Sequence, residues 1–354
     1  MKNLQKKLGE LGENYAALIV SPENRRYFTK FPSSDGFLVV NSEKAVFITD
    51  GRYIEAAENT AKDCEVVLQK KAFAQIAELL ENMKCGHLLV ESSRMTLDLY
   101  NSLKGVAKNI AVHTDTSLDT IINGLRSVKT SEEIEFIEAA QKITDETFSH
   151  MCNFIKPGMT EREIGLELDF YMLSHGGEAL SFETIAVSGK NTSLPHGVPS
   201  DKKIEKGDFV TLDFGTVIGG YHSDMTRTVA IGFATDEMKE VYETVRLAQE
   251  NGIRGLKAGL TGIEGDALTR SVITERGYGE YFTHSTGHGV GVEIHEYPTL
   301  SFSNDKPLLP GQIVTVEPGI YIPGKFGVRI EDMAVITETG CIDLTHSPKE
   351  LIIL

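Results

Sequence analysis

The stretch Asp208-Phe-Val-Thr-Leu-Asp-Phe-Gly-Thr-Val-Ile-Gly-Gly-Tyr-His-Ser-Asp-Met-Thr-Arg-Thr-Val229 decides how this chain is read. Its first half is a strand in which Asp213 stands between Leu212 and Phe214. A carboxylate inside an apolar strand is costly unless something cationic meets it. Gly219-Gly220 is a turn signal, and the returning strand, 221–229, carries a second carboxylate, Asp224. Folding at that turn predicts Asp213 and Asp224 roughly opposite each other, where cross-strand side chains lie about 4.5–5.5 Å apart. Like charges so placed repel, and a bound cation resolves the repulsion. The plainer alternative is a solvent-facing pair on an exposed strand.

A second hairpin has the same content. Residues 312–317 and 328–335 read as strands around the turn signal Pro323-Gly324, and Glu317 and Glu331 are equidistant from Gly324. Facing carboxylates are therefore expected there too. Together the four acids carry −4, which two divalent metal ions would balance.

The surrounding chain looks duplicated. Thr130 and Glu133 form a capping-box pattern ahead of a long helix over 131–155, with Ile137, Ala140, Thr144, Phe148, Met151 and Ile155 on one stripe. Thr160 and Glu163 open a second helix, with Ile164, Leu168, Tyr171 and Met172 on its inner face. Thr235 then starts another long helix with Met238, Val241, Val245, Ala248 and Leu256 on one face, and Thr261 and Glu264 open a fourth. Lys257-Ala-Gly-Leu-Thr261 echoes Lys156-Pro-Gly-Met-Thr160 at a spacing of 101 residues. Asp213 and Glu317 are 104 apart, and Asp224 and Glu331 are 107 apart. The pattern predicts two halves, each a helix pair followed by strands and each giving one acidic hairpin. One curved antiparallel sheet, backed by helices, would hold the acids where the halves meet.

Upstream, short apolar runs at 16–20, 37–40, 45–48, 66–68, 88–90 and 110–112 are candidate strands, with a hairpin turn at Asn41-Ser-Glu-Lys44 and helices over 72–82 and 97–103. Hairpin and crossover connections together predict a mixed sheet. The fold class is thus a two-domain α+β and α/β protein, with an N-terminal domain over 1–125 and a second domain over 126–354.

Composition sets outer bounds. With 35 Lys and Arg against 51 Asp and Glu the net charge is −16, which argues against nucleic acid or an anionic membrane as the main partner. The four cysteines, Cys64, Cys85, Cys152 and Cys341, lack CxxC spacing and read as inert thiols of a reducing compartment. The apolar run at 16–20 is too short for a signal-peptide core or a membrane span, so a cytoplasmic protein is expected.

Histidines supply the remaining candidates. Thr283-His-Ser-Thr-Gly-His-Gly-Val-Gly-Val-Glu-Ile-His-Glu-Tyr-Pro298 is rich in both histidine and glycine, and glycines allow close backbone approach to a ligand. His288, between Gly287 and Gly289, is the candidate nitrogen ligand. His295 is a candidate donor to an oxyanion, and His196, in Leu194-Pro-His-Gly-Val198, is a loop histidine of similar type. Arg329 lies two residues before Glu331, on the same strand face, and would steady the acids or the substrate.

These residues reach a known family. Leu125-Arg-Ser-Val-Lys-Thr-Ser-Glu-Glu-Ile134, Thr211-Leu-Asp-Phe-Gly215, Tyr221-His-Ser-Asp-Met-Thr-Arg-Thr228, Ser285-Thr-Gly-His-Gly289, Val316-Glu-Pro-Gly-Ile-Tyr321 and Val328-Arg-Ile-Glu-Asp332 together resemble the pita-bread metallopeptidases of family M24. The resemblance is closer to the Xaa-Pro branch, aminopeptidase P and prolidase. Asn24-Arg-Arg-Tyr-Phe28, Ser34-Asp-Gly-Phe37 and Thr49-Asp-Gly-Arg-Tyr53 resemble the creatinase-like N-terminal domain of the same branch.

The resemblance implies a C-terminal pita-bread fold with pseudo-twofold halves. It makes Asp213, Asp224, His288, Glu317 and Glu331 the ligands of two divalent metal ions, with Asp224 and Glu331 bridging. It makes His196 and His295 substrate-contacting groups and Glu317 the proton relay. It implies cleavage of the first peptide bond of peptides or dipeptides with proline second, and a homodimer. A mostly oxygen ligand set favours Mn²⁺, with Co²⁺ or Zn²⁺ as alternatives. Methionine aminopeptidase shares the ligands but is commonly a shorter chain without this N-terminal domain. Creatinase shares both domains but lacks the ligands. A non-catalytic pita-bread protein that binds peptides or partners is the alternative from another class.

Overall fold

The computed structural model describes residues 1–354. The chain forms two compact units, Met1–Arg126 and Ser127–Leu354.

The first unit carries six strands, β1 (Tyr15–Ile19), β2 (Phe37–Asn41), β3 (Ala45–Thr49), β4 (Glu65–Leu68), β5 (His87–Val90) and β6 (Ala111–His113), in the order β4-β3-β2-β1-β5-β6. β1–β2 and β2–β3 are antiparallel and the other pairs parallel, so the sheet is mixed. The β2–β3 turn closes as expected, with Asn41 Oδ1 accepting from Glu43 N at 3.0 Å and Lys44 N at 2.7 Å. Six helices accompany the strands, α1 (Lys2–Leu11) ahead of β1, α2 (Pro22–Thr29), α3 (Ile54–Thr60), α4 (Ala72–Asn82) and α5 (Leu97–Val106) between strands, and α6 (Ser117–Ser127) after β6. Apolar clusters form on both faces of the sheet, one around Leu38 and Phe47 and one around Val39 and Ile48.

The second unit begins with α7 (Ser131–Phe154) and α8 (Glu161–Ser174). Both carry full capping boxes: Thr130 N to Glu133 Oε2 is 2.8 Å and Thr160 N to Glu163 Oε2 is 2.7 Å. The strands that follow are β7 (Ala179–Leu180), β8 (Ile185–Ser188), β9 (Phe209–Phe214), β10 (Thr216–Ile218), β11 (Tyr221–His222) and β12 (Met225–Ala230). Then come α9 (Asp236–Gly255) and α10 (Gly262–Glu275), the latter capped by the Thr261–Glu264 box. The last strands are β13 (Gly287–Gly289), β14 (Glu296–Leu300), β15 (Ile313–Val316), β16 (Gly319–Ile322), β17 (Phe326–Arg329), β18 (Asp332–Ile336) and β19 (Cys341–Asp343).

The duplication is visible in the backbone. Thr160 bridges Lys203 in one half and Thr261 bridges Pro307 in the other. Gly158 N donates to Ile204 O, and Gly259 N to Leu308 O, both at 2.9 Å. Residues separated by about one repeat therefore do the same local work. The strands pair in four antiparallel ladders, β11-β10-β7, β12-β9-β8, β14-β13-β15-β18-β19 and β16-β17, and the backbone bond from Glu331 N to Thr226 O at 3.1 Å links the ladders of the two halves. The breaks fall at Gly215 and around Glu317 and Glu331, beside the acids. All four cysteines are free, and no helix is long and apolar enough to cross a membrane.

Candidate metal centre

Register places the four acids. Gly219 and Gly220 both have positive φ, +60° and +83°, and make a two-residue turn that pairs Ile218 with Tyr221. The same register continues to Asp213↔Thr226. Asp213 and Asp224 are therefore diagonal neighbours rather than directly opposite; they still share a face because 224 and 226 have the same parity. In the second hairpin the pairs Val316↔Asp332 and Gly319↔Arg329 share one register, so Glu317 and Glu331 face each other as the sequence predicts. The two hairpins meet where Glu331 N donates to Thr226 O at 3.1 Å and Thr226 Oγ1 donates to Glu331 Oε2 at 2.7 Å.

His288 arrives on β13. Its Nδ1 lies 3.1 Å from the Gly289 carbonyl, which assigns the proton to Nδ1 and leaves Nε2 bare. That bare nitrogen points at carboxylates, 3.5 Å from Asp224 Oδ2 and 3.4 Å from Glu317 Oε1. The surrounding glycines serve chain packing more than ligand approach: a Cβ on Gly287 would lie 1.9 Å from the Thr315 carbonyl of the neighbouring strand.

Candidate ligand atoms of Asp224, His288 and Glu331 all lie within 4.8 Å of one another. Asp213 and Glu317 lie outside that tight set but line the same cavity, of about 840 Å³, as do Arg329, His196 and His295. Burial, and then the neighbouring acids, pushes the Asp224 and Glu331 carboxyls well above the usual range. Burial also pushes Glu317 up, and it holds His288 below its ordinary value and hence neutral. Asp213 Oδ1 is buried without a hydrogen-bond partner. Acceptors facing acceptors, an orphaned carboxylate oxygen and a neutral imidazole fit a divalent cation set of oxygen and nitrogen donors.

This electrostatics has a testable sign. Asp224 and Glu331 bind protons more tightly when folded than their unfolded values of about 4. Their contribution to stability is thus fully present below the unfolded value and is lost as pH rises through the raised folded values. Relative to chelator-treated Asp224→Asn, whose amide cannot titrate, chelator-treated wild type is expected to gain Tm as the pH is lowered through the raised carboxyl titration, and saturating Mn²⁺ to flatten or reverse that difference. An identical pH slope in the two stripped proteins would contradict the clustering of the acids, since the depressed imidazoles of His284, His288 and His295 oppose the gain in both.

Around the cluster runs a hydrogen-bonded chain only partly legible in the sequence. Arg329 Nη2 donates to Asp213 Oδ2 at 2.5 Å, Nε to Thr226 Oγ1 at 2.9 Å, and Nη1 to Tyr321 OH at 2.8 Å and to Pro195 O at 3.2 Å. Tyr321 OH lies 2.9 Å from His284 Nε2, and the other ring nitrogen of His284 lies 2.8 Å from Ser285 O. Thr315 Oγ1 donates to Glu317 Oε1 at 3.1 Å. The His295 ring lies against His288, tilted by 59° with centroids 4.3 Å apart. Burial, with His288 and His196 nearby, holds His295 below its ordinary value, so it keeps one N–H to donate. The His295 segment is anchored by a buried ion pair, Lys129 Nζ to Glu296 Oε1 at 2.7 Å.

Comparison with known proteins finds matches over both units. Residues 135–338 match Metallopeptidase family M24, and residues 1–128 match the Creatinase/Prolidase N-terminal domain. A Bacillus subtilis protein named uncharacterized peptidase YqhT is 48% identical over 358 residues, covering 100% of this chain and 99% of that one. The solved structure of an Xaa-Pro dipeptidase from Bacillus anthracis superposes with a TM-score of 0.95 at 45% identity, over 99% of this chain and 98% of that one. An X-Pro aminopeptidase from Thermotoga maritima superposes with a TM-score of 0.92 at 37% identity, over 99% of this chain and 98% of that one.

Proposed function

The chain belongs to metallopeptidase family M24, and on that premise we propose that it is an exopeptidase hydrolysing the first peptide bond of Xaa-Pro dipeptides or longer Xaa-Pro peptides. Its fold is the two-domain one, creatinase-like and then pita-bread. Two divalent ions would be held by Asp213, Asp224, His288, Glu317 and Glu331, and the mostly oxygen set favours Mn²⁺ over Co²⁺ or Zn²⁺. The observation that carries the reading is the bare Nε2 of His288 aimed at the buried carboxylates of Asp224 and Glu317.

Bound divalent ions supply Lewis-acid polarisation of the scissile carbonyl and a water acidic enough to attack near neutral pH. The protein's own groups do the rest. Glu317 takes the proton of the attacking water and relays it, with Thr315 fixing the orientation of its carboxylate. His295, neutral and carrying an N–H, donates to the oxyanion that develops on the carbonyl. His196, on an exposed loop at the cavity, donates a proton to the departing nitrogen of proline, which is tertiary and has no N–H of its own. Arg329 ties Asp213 to the Pro195 carbonyl and so couples the acids to the His196 loop.

Hydrolysis of Ala-Pro beside Ala-Pro-Ala, with Mn²⁺ and with a chelator, tests the proposal. Release of the N-terminal alanine from one or both, leaving proline or Pro-Ala and abolished by chelation, is expected; no hydrolysis of either sinks the Xaa-Pro reading. Cleavage of the dipeptide alone identifies a dipeptidase. Met-Gly cleaved in preference to Met-Pro would transfer the chain to methionine removal. A homodimer and a cytoplasmic location belong to the same proposal, the first checked by light scattering at twice the chain mass.

A further inference from the structure

The loop that presents His196 is closed at its base by one carboxylate. Between Ser188, at the end of β8, and Ser200, the chain makes a 3-10 turn over Gly189–Ser193 and then runs Pro195-His-Gly-Val-Pro199, five consecutive residues lining the cavity. Glu161, the first residue of α8, is fully buried beneath this loop. Its Oε1 accepts from Ser188 N at 2.7 Å, Ser188 Oγ at 2.9 Å and Asn191 Nδ2 at 3.0 Å. Its Oε2 accepts from Ser200 N at 3.1 Å and Ser200 Oγ at 2.5 Å. The two oxygens of one side chain therefore hold the two ends of the loop. The helix end adds two more bonds, Glu161 N to Lys202 O and Arg162 N to Ser200 O, each at 3.0 Å.

Burying a carboxylate costs several kcal/mol unless charge-assisted hydrogen bonds replace its water. Here all five donors come from the loop, and the helix N-terminus favours the negative charge. Glu161 lines no part of the cavity and bonds to none of the five acids and histidines of the metal centre. We infer that Glu161 is a positioning residue for His196: it fixes both loop ends so that His196 and the Pro195 carbonyl meet the leaving side of the substrate. The inference rests on the reading of His196 as a substrate-contacting group.

Glu161→Gln keeps the size but can accept at one end only, since its amide N–H groups would confront the Ser200 N–H. A displacement of about 1 Å in a reacting group costs on the order of 10²-fold. The expected result is a fall of about 30- to 100-fold in kcat/Km on the Xaa-Pro peptide the wild type cleaves, carried by kcat with KM nearly unchanged. Bound metal, counted per chain, stays at the wild-type value. In a His196→Ala background the same change is expected to cost less than about twofold, because both substitutions remove one function. Should Glu161→Gln fail to fold, Ser200→Ala loosens one end, and the same pair of backgrounds is compared with it. Wild-type kcat/KM in Glu161→Gln, or an equal cost in both backgrounds, overturns the inference. A fully active His196→Ala would instead overturn the role assigned to His196, whereas an impaired His196→Ala beside a normal Glu161→Gln would remove the clasp alone.

Discussion

Asp224→Asn is expected to abolish peptide hydrolysis and metal loading while leaving the fold in place. The substitution is nearly isosteric, but it puts an amide where Asp224 Oδ2 now lies 3.5 Å from the bare Nε2 of His288. An amide is a poor ligand for a hard divalent ion, and the set formed with His288 and Glu331 loses its charge balance. Lewis-acid stabilisation is worth several kcal/mol, and each 1.36 kcal/mol is tenfold, so a loss on the order of 10³-fold or more is expected.

Stability should move the other way in the stripped protein. Desolvation and the neighbouring acids push the Asp224 carboxyl up, so removing its charge relieves a repulsion. Metal-free Asp224→Asn is therefore expected to melt no lower than metal-free wild type. With Mn²⁺ at about 100 times its Kd, wild type should gain about 2.7 kcal/mol, roughly 5–10 °C, and the variant little. Two bound metal equivalents and near-normal turnover in Asp224→Asn would remove this residue from the metal centre.

The acids were legible because each interrupts an apolar strand, which is a chemical signal carried by single residues. Their mutual placement was legible only as far as the turns were. The Pro323-Gly324 turn gives the right register for Glu317 and Glu331, whereas the two-residue Gly219–Gly220 turn sets Asp213 against Thr226 and Asp224 one step further along the same face. The strands of the first unit were legible to within a residue or two, since each is a short apolar run bounded by polar residues. Its helix α2 was not, because Asn24, Arg25 and Thr29 are buried and polar, and the 3.6-residue apolar period is missing. Ser21 and Asn24 are held there by Glu91, whose oxygens lie 2.6 Å from each side chain. Tyr321, Thr226 and Glu161 escaped for a related reason. Their partners are 8 to 105 residues away, and no periodicity links a hydroxyl or a carboxylate to a donor it meets only after packing. His284 did lie within the histidine-rich stretch that the sequence singles out, so there the signal was present without the role.

Arg227→Met is expected to be the most destabilising single change behind the site. Arg227 and Asp332 are 1% and 0% exposed and pair at 2.7 Å. Arg227 also donates to the carbonyls of Thr226 at 3.0 Å, Glu331 at 2.7 Å, Ser347 at 2.8 Å and Pro348 at 2.9 Å. One guanidinium thus fastens the C-terminal segment to the strands that carry Thr226 and Glu331. Asp332 accepts further from Gln249 Nε2 at 2.6 Å and from Lys349 Nζ. Removing one partner of a buried ion pair strands the other and costs about 3–5 kcal/mol, whereas replacing both by apolar residues is often close to neutral. The urea midpoint of the metal-loaded single variant should fall accordingly, and Arg227→Met with Asp332→Leu should recover about half of the loss. Because Arg227 also holds the Glu331 carbonyl, the single variant should need more Mn²⁺ for half-maximal activity, and the double variant less than the single. A double variant no more stable than Arg227→Met would mean that the cost lies in the four carbonyl bonds and not in the stranded charge of Asp332. A single variant within about 1 kcal/mol of wild type would mean that Lys349 and Gln249 satisfy Asp332 unaided.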